Sequence, residues 1–236
     1  MPTKREIAEH FEILNNKSNL VVKHNDLIQK TRFSLSVQEQ KVILYCISKL
    51  KPDDKDFNEY TVDLKSLCNI CGIEEQGKNY LNFRKSIEEI KKACFWLKLD
   101  NGKVACIDWL IGVEYDAANL SFTFRLDNRL KPYLLQLQKS FTAYELANVL
   151  NFKSKYSIRL YELLKSFAYR KNATFSLEQL KELLMIGNKY QQYKYFRTEV
   201  LEKAVKEINT YTDIRVSYTP HRENRKIVEL DFIIES

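Results

Sequence analysis

The chain has 236 residues, 44% of them hydrophobic, and 38 Lys and Arg against 31 Asp and Glu give a formal net charge of +7. That length suits one large domain or two of about 100 residues each, and the scarcity of Gly (five) and Pro (four) speaks against a long disordered linker. The positive balance points towards a polyanionic partner. No apolar run reaches signal-peptide or membrane length, so a soluble, cytoplasmic protein without membrane contact is expected.

Residues 1–18 read as a flexible N-terminal arm, with a short helix over 5–14 before the linker-like stretch Asn15 to Asn19. An extended piece over 20–31 then turns towards the first core helix. Ser36 and Glu39 form a capping box ahead of it, each satisfying a free amide of the other. Its apolar face continues through Val42, Ile43, Tyr45, Cys46, Ile47 and Leu50. A strand over 60–62 follows, then a helix over 64–71 capped by Asp63 and stopped by Gly72, and a helix over 79–94. Strands over 95–99 and 103–115 are joined by Asp100-Asn101-Gly102, since Asn-Gly between apolar runs signals a hairpin. A strand over 120–126 and a helix from Asp127 to about 138 close the first half.

The second half begins near Lys139. Thr142 and Glu145 read as another capping box, followed by a long helix over 153–170. Ser176 and Gln179 cap the next helix, which Gly187 stops. Phe196, Val200, Leu201, Ala204, Val205 and Ile208 then fall at helical spacing, giving one buried stripe and one polar face. A strand over 213–218, a basic turn (His221, Arg222, Arg225, Lys226) and a strand over 227–234 end the chain.

The two halves match. Tyr80, Phe83, Arg84 and Ile87 stand opposite Tyr193, Phe196, Arg197 and Val200 at a constant offset of 113. Leu64, Leu67, Cys71 and Ile73 fall on Leu177, Leu180, Leu184 and Ile186 at the same offset, and Leu44-Tyr45 upstream resembles Leu160-Tyr161. Three matches in order indicate internal duplication. The expected fold is α+β: two tandem winged-helix (helix-turn-helix) domains, 19–138 and 139–236.

Several chemical motifs fail on inspection. Gly72 to Lys78 nearly fits a phosphate-cradling loop, but Asn79 stands where Ser or Thr holds magnesium, and Glu74 and Glu75 repel phosphate. Cys68-Asn-Ile-Cys71 lacks a second pair and clustered histidines. The five cysteines (46, 68, 71, 94, 106) read as reduced core thiols. His10, His24 and His221 are scattered, which removes the paired-His metal site of a rolling-circle nicking enzyme. No catalytic residue, metal or cofactor is therefore expected, and the protein reads as a non-enzyme.

What remains is a DNA surface. Lys189, Gln191, Gln192, Lys194 and Arg197 crowd the start of the second-half helix with no acid among them. Gln and Arg pair with base edges, whereas Lys neutralises phosphate. His221, Arg222, Arg225 and Lys226 in the second wing, with Lys103 in the first-half hairpin, are expected to hold phosphates. In the first half, Lys78, Asn79, Asn82, Arg84 and Lys85 form the equivalent run, diluted by Glu88 and Glu89, and phosphate contacts are favoured there.

VVKHNDLIQKTRFSLSVQEQKVILYCISKL (21–50) resembles the opening of the iteron-binding plasmid replication initiators, the RepE and π-like family. KSKYSIRLYELLKSF and FRTEVLEKAVKEINTYTDIRVSY resemble its second-domain signatures, and the likeness covers about residues 20–234. The resemblance implies recognition of directly repeated double-stranded origin DNA and recruitment of the host chromosomal initiator and replicative helicase. It also implies a monomer–homodimer equilibrium, with dimerisation and autorepression through the first domain. The main base-reading role falls on Gln191, Gln192, Lys194, Arg197 and Thr198. The alternative is a dimeric winged-helix transcriptional repressor without initiator activity.

Overall fold

A computed structural model describes residues 19–51, 54–71, 77–98 and 102–236, with backbone alone for 69–71, 77–82 and 98. The expected helix over 5–14, the Gly72 stop, the Gly72–Gln76 part of the near-miss phosphate loop and the Asp100-Asn101 turn lie outside these residues.

The chain opens with β1 (Leu20–His24), a short α1 (Asn25–Gln29) and α2 (Val37–Ser48). The Ser36 capping box is present: Ser36 Oγ accepts from the Glu39 amide at 3.3 Å and Glu39 Oε2 from the Ser36 amide at 2.8 Å. β2 (Tyr60–Asp63) leads into α3 (Leu64–Cys71), where Asp63 Oδ1 accepts from the Ser66 amide at 2.7 Å. Then come α4 (Gly77–Lys92), β3 (Phe95–Lys98), β4 (Val104–Ile107), β5 (Leu110–Asp116) and β6 (Ser121–Leu126). Beyond Asp127 there is only a 3-10 turn and α5 (Lys131–Leu134), not a helix to 138, because Leu135 turns extended.

The second half runs through β7 (Phe141–Glu145), α6 (Ala147–Leu150), α7 (Lys155–Ser166), β8 (Asn172–Ser176) and α8 (Leu177–Leu183). A composite helix over 193–211 follows, made of α9 (Tyr193–Phe196), a π-helical turn (Arg197–Leu201) and α10 (Glu202–Tyr211). β9 (Arg215–Glu223) and β10 (Lys226–Glu235) close the chain.

Each half holds a three-stranded sheet of the same order, β2-β6-β5 and β8-β10-β9. In both, the first strand pairs with the last, and two helices lie between the first and second strands. That is the winged-helix layout twice over, and the α+β duplication stands. The hairpin β3–β4 is an addition to the first half and forms a separate two-stranded sheet.

Thr142 and Glu145 do not cap a helix. Thr142 and Tyr144 are buried while Phe141, Ala143 and Glu145 are exposed, a period-two pattern that β1 completes. β1 and β7 pair antiparallel from Leu20↔Glu145 to His24↔Phe141, so a strand of each half joins the other. The long helix expected here is α7, capped at its start by Ser154, whose Oγ accepts from the Tyr156 amide at 3.2 Å.

Beneath this strand pair lies a buried ionic cluster. Lys23 contacts Glu162, Tyr144 Oη donates to Glu162 Oε1 at 2.6 Å, and Arg159 Nη1 stands 3.6 Å from Glu162 Oε2. Arg159 Nη2 also donates to the carbonyls of Ile28 (3.0 Å) and Thr31 (3.3 Å), and its guanidinium lies 4.5 Å from the Phe33 ring centre. Burial alone would raise the Glu162 carboxyl, but Lys23 and Arg159 outweigh it and hold the group below its usual range.

The cysteine reading needs one correction. Cys94 and Cys106 form a disulfide across the added hairpin, since antiparallel pairing of β3 with β4 brings their Cα atoms to 5.8 Å. Cys46 is free and buried, as expected, and Cys68 is buried as well.

Candidate nucleic-acid interface

The start of the composite helix is set by the loop before it. Ser176 Oγ accepts from the Gln179 amide at 3.1 Å, and α8 ends short of a turn in which Met185, Gly187 and Tyr190 all take positive φ (51°, 59° and 52°). Lys181 Nζ, from α8, donates to the carbonyls of Tyr190 and Gln191, both at 3.2 Å, and sits 5.3 Å from the Phe196 ring centre. Burial lowers the Lys181 ammonium pKa. This side chain fixes where Gln191 and Gln192 stand.

Phe196, Val200, Leu201, Ala204 and Ile208 are buried, whereas Lys189, Gln191, Gln192, Lys194, Tyr195 and Arg197 are exposed and Thr198 is half-buried. The expected readers are therefore all accessible, Thr198 only in part. Tyr195, half exposed in the middle of them, escaped the sequence reading, although its place beside Lys194 was a usable signal. Arg197 is not free of acids: its Nε lies 3.3 Å from Glu202 Oε1, with both side chains about half exposed. An exposed pair of this kind is worth about 0–1 kcal/mol, so a guanine edge can compete for the guanidinium.

The second wing is tighter than expected. β9 and β10 meet at Asn224 and Arg225, with φ of 45° and 71°, a two-residue turn of the kind that matches strand twist. Arg225 alone of the four basic residues is in the turn. Arg222 and Lys226 flank it on the strands, and all three are exposed. His221 lies on β9 with Nε2 2.5 Å from Asp231 Oδ2, and Thr174 Oγ1 donates to the other carboxylate oxygen at 2.5 Å. A carboxylate partner makes His221 the weakest phosphate candidate of the set.

In the first half, Arg84 and Lys85 are exposed on α4. Arg84 Nε pairs with Glu88 Oε1 at 3.2 Å, and its guanidinium lies 5.7 Å from the Tyr115 ring centre. Lys78, Asn79 and Asn82 belong to the same helix, but their side chains lie outside the described residues. Lys103 is exposed next to Gly102 (φ 79°) on the added β3–β4 hairpin. It is therefore not on the counterpart of the second wing. By sheet order that counterpart is β5–β6, whose turn is built on Asp116: Oδ1 accepts from the amides of Ala118 (2.8 Å) and Asn119 (3.1 Å). Its tip, Asp116-Ala-Ala-Asn-Leu120, carries no Lys or Arg.

Among the described residues no group of His, Cys, Asp and Glu is placed to hold a metal ion, and no helix is long and apolar enough to cross a membrane.

Residues 20–165 match the family described as Initiator Replication protein, WH1, and residues 176–234 match Initiator Rep protein, WH2. The chain belongs to the initiator replication protein family. Within that family it is similar to two curated Escherichia coli proteins. The first is a "Replication initiation protein", 29% identical over 209 residues, which are 84% of this chain and 65% of that protein. The second is the "PI protein", 33% identical over 144 residues, which are 53% of this chain and 46% of the relative. The chain thus spans less than two thirds of the length of either. Among solved structures, that of the Pi initiator protein in complex with iteron DNA superposes with a TM-score of 0.75 at 21% identity, covering 93% of this chain and 98% of that one. RctB domains 2-3 superpose at 0.51 with 13% identity, covering 87% and 86%. At these identities the likeness is one of fold.

Proposed function

We propose that this initiator-family chain starts plasmid replication by binding directly repeated origin DNA (iterons) sequence-specifically. The observation that carries the reading is the pair of winged-helix domains, the second of which presents Gln191, Gln192, Lys194, Arg197 and Thr198 along one exposed helix start. Similarity to a protein named for replication initiation, and a shared fold with an initiator bound to iteron DNA, support it. The second half, 139–236, is the main reader. The first half, 19–138, contributes phosphate contacts through α4 and the homodimer surface. Arg197 and the glutamines read base edges, while Arg222, Arg225 and Lys226 hold phosphates.

The chain acts in the cytoplasm without catalysing a reaction, recruits the host chromosomal initiator and replicative helicase, and represses its own gene as a dimer. Footprinting of the pure protein on the DNA upstream of its gene, across a salt series, tests this. Protection repeating at about two helical turns and surviving moderate salt is expected. A single symmetric footprint would instead mark a dimeric repressor. Arg197→Ala flattens the preference for the repeat by about 1–3 kcal/mol. Lys226→Ala weakens all duplexes alike and reduces the salt slope by about 0.9. Equal losses from both changes on every duplex would overturn the assignment of roles.

A further inference from the structure

The duplication makes α4 an internal reference for the composite helix over 193–211, and the two differ by one residue. Among the described side chains of α4 the buried positions are Phe83, Ser86, Ile87 and Ile90. At about 100° per residue, the last three fall at about −60°, +40° and −20° from Phe83. In the second half they are Phe196, Val200, Leu201, Ala204 and Ile208. Counted as an uninterrupted α-helix, Phe196 and Ile208 would stand about 120° apart. Counting one residue between Phe196 and Val200 out of the register puts Val200, Leu201 and Ala204 at the same three angles as their α4 counterparts. The offset between halves shows the same slip: Phe83 stands opposite Phe196 at 113, but Ser86, Ile87 and Ile90 stand opposite Val200, Leu201 and Ala204 at 114.

The π-helical turn absorbs that residue. The Glu202 amide donates to the Arg197 carbonyl, five residues back. Arg197 pairs with Glu202 at i+5, where Arg84 pairs with Glu88 at i+4. Between consecutive buried positions α4 has two residues, the exposed Arg84 and Lys85, and the π-helical turn has three, the exposed Arg197 and Glu199 with half-buried Thr198 between them. Arg197 is tied to Glu202, and Glu199 to Lys203 at 2.5 Å. Thr198 stands between them with its hydroxyl donated to the Lys194 carbonyl at 3.2 Å. Its methyl group is what remains for a base.

We infer that the π-helical turn is a specificity element, which inserts Thr198 between Arg197 and Glu199 so that its methyl reads a thymine methyl in the major groove. Apolar contact with the C5-methyl is the chemistry that separates thymine from cytosine at such a point. The inference rests on the reading of this helix as the base reader, and the test separates the two.

The full chain, Arg197→Ala, Thr198→Ser and a single-residue deletion of Glu199 are each used to select duplexes from a pool with a randomised stretch. The deletion restores the buried spacing of α4, so its fold is checked by thermal melting. Thr198→Ser keeps the hydroxyl and the chain length and removes only the methyl. The expected result is loss of one thymine preference, by at least fivefold, with Thr198→Ser and with the folded deletion. Replacing that thymine by deoxyuridine should weaken the parent chain and leave Thr198→Ser unchanged. If Arg197→Ala changes the selected sequence while Thr198→Ser preserves every thymine preference, the π-turn inference falls alone. If Arg197→Ala also selects the parent sequence, the base-reading assignment falls with it.

Discussion

Glu162→Ala is the sharpest test of how the two halves are held together. Glu162 is 2% exposed and receives Lys23 from β1, Tyr144 from β7 and Arg159 from its own helix. Removing the carboxylate leaves two buried cations with no counter-charge and one buried hydroxyl with no acceptor. Arg159 keeps the Ile28 and Thr31 carbonyls, but Lys23, 3% exposed, keeps no anion. Breaking a buried pair by deleting one partner costs about 3–5 kcal/mol, against total stabilities of about 5–15 kcal/mol. With an m-value of about 3 kcal/mol per M, urea unfolding followed by circular dichroism should show the midpoint falling by about 1–1.7 M. Lys23→Met combined with Glu162→Met should lose less than Glu162→Ala alone, since no unpaired lysine remains. The pH dependence has a definite sign. The folded carboxyl sits below its usual range, so its contribution is complete above the unfolded value of about 4.3 and fades as pH falls through the folded one. Glu162→Gln should flatten that acid limb. A loss below about 1 kcal/mol for Glu162→Ala would refute the reasoning, because the cluster would then be solvated or already uncharged.

Other changes have defined outcomes. Ser36→Ala removes the Oγ acceptor of the capping box while keeping the amide that donates to Glu39, and should cost about 0.5–2 kcal/mol by denaturant unfolding, with no effect on which DNA sequence is preferred. Peptide mass mapping after alkylation in denaturant should find Cys46 modified without reductant and Cys94 and Cys106 modified only with it. Alkylation of all three without reductant would restore the reduced-thiol reading. Gly187→Ala forces a side chain into positive φ where nothing lies within 4 Å of the new Cβ. It should therefore cost about 1–2 kcal/mol from backbone strain alone, measured by thermal melting.

Period and capping carried most of the fold. The stripe from Phe196 to Ile208 and the caps at Ser36, Asp63 and Ser176 are local patterns, and each formed as read. The failures share a cause. Thr142 to Glu145 carries a helix-start signature, yet a strand wins there because β1, more than a hundred residues away, supplies the hydrogen bonds. Lys103 is in the hairpin that Asn101-Gly102 announces, but that signal does not say which sheet the strands join, and the hairpin is not the counterpart of the second wing. Cys94 and Cys106 pair only through the register of β3 with β4. The exposed basic surface was legible as composition. Glu88, one helical turn from Arg84, was legible too, but Glu202 and Asp231 were not, since they meet Arg197 and His221 across a π-helical turn and a strand pair.

The β1–β7 pairing also sets a timetable for synthesis. Residues 20–24 need residues 141–145 as their strand partner, and a ribosome adding about 5–20 residues per second takes about 6–23 s to make the stretch between them. For that interval β1 is an unpaired edge and Lys23 lacks Glu162. The first domain therefore cannot settle before part of the second has left the ribosome, and the two should mature together rather than in sequence. Non-local pairing of this kind slows folding, and a chain cut between the halves should leave β1 open to foreign strands.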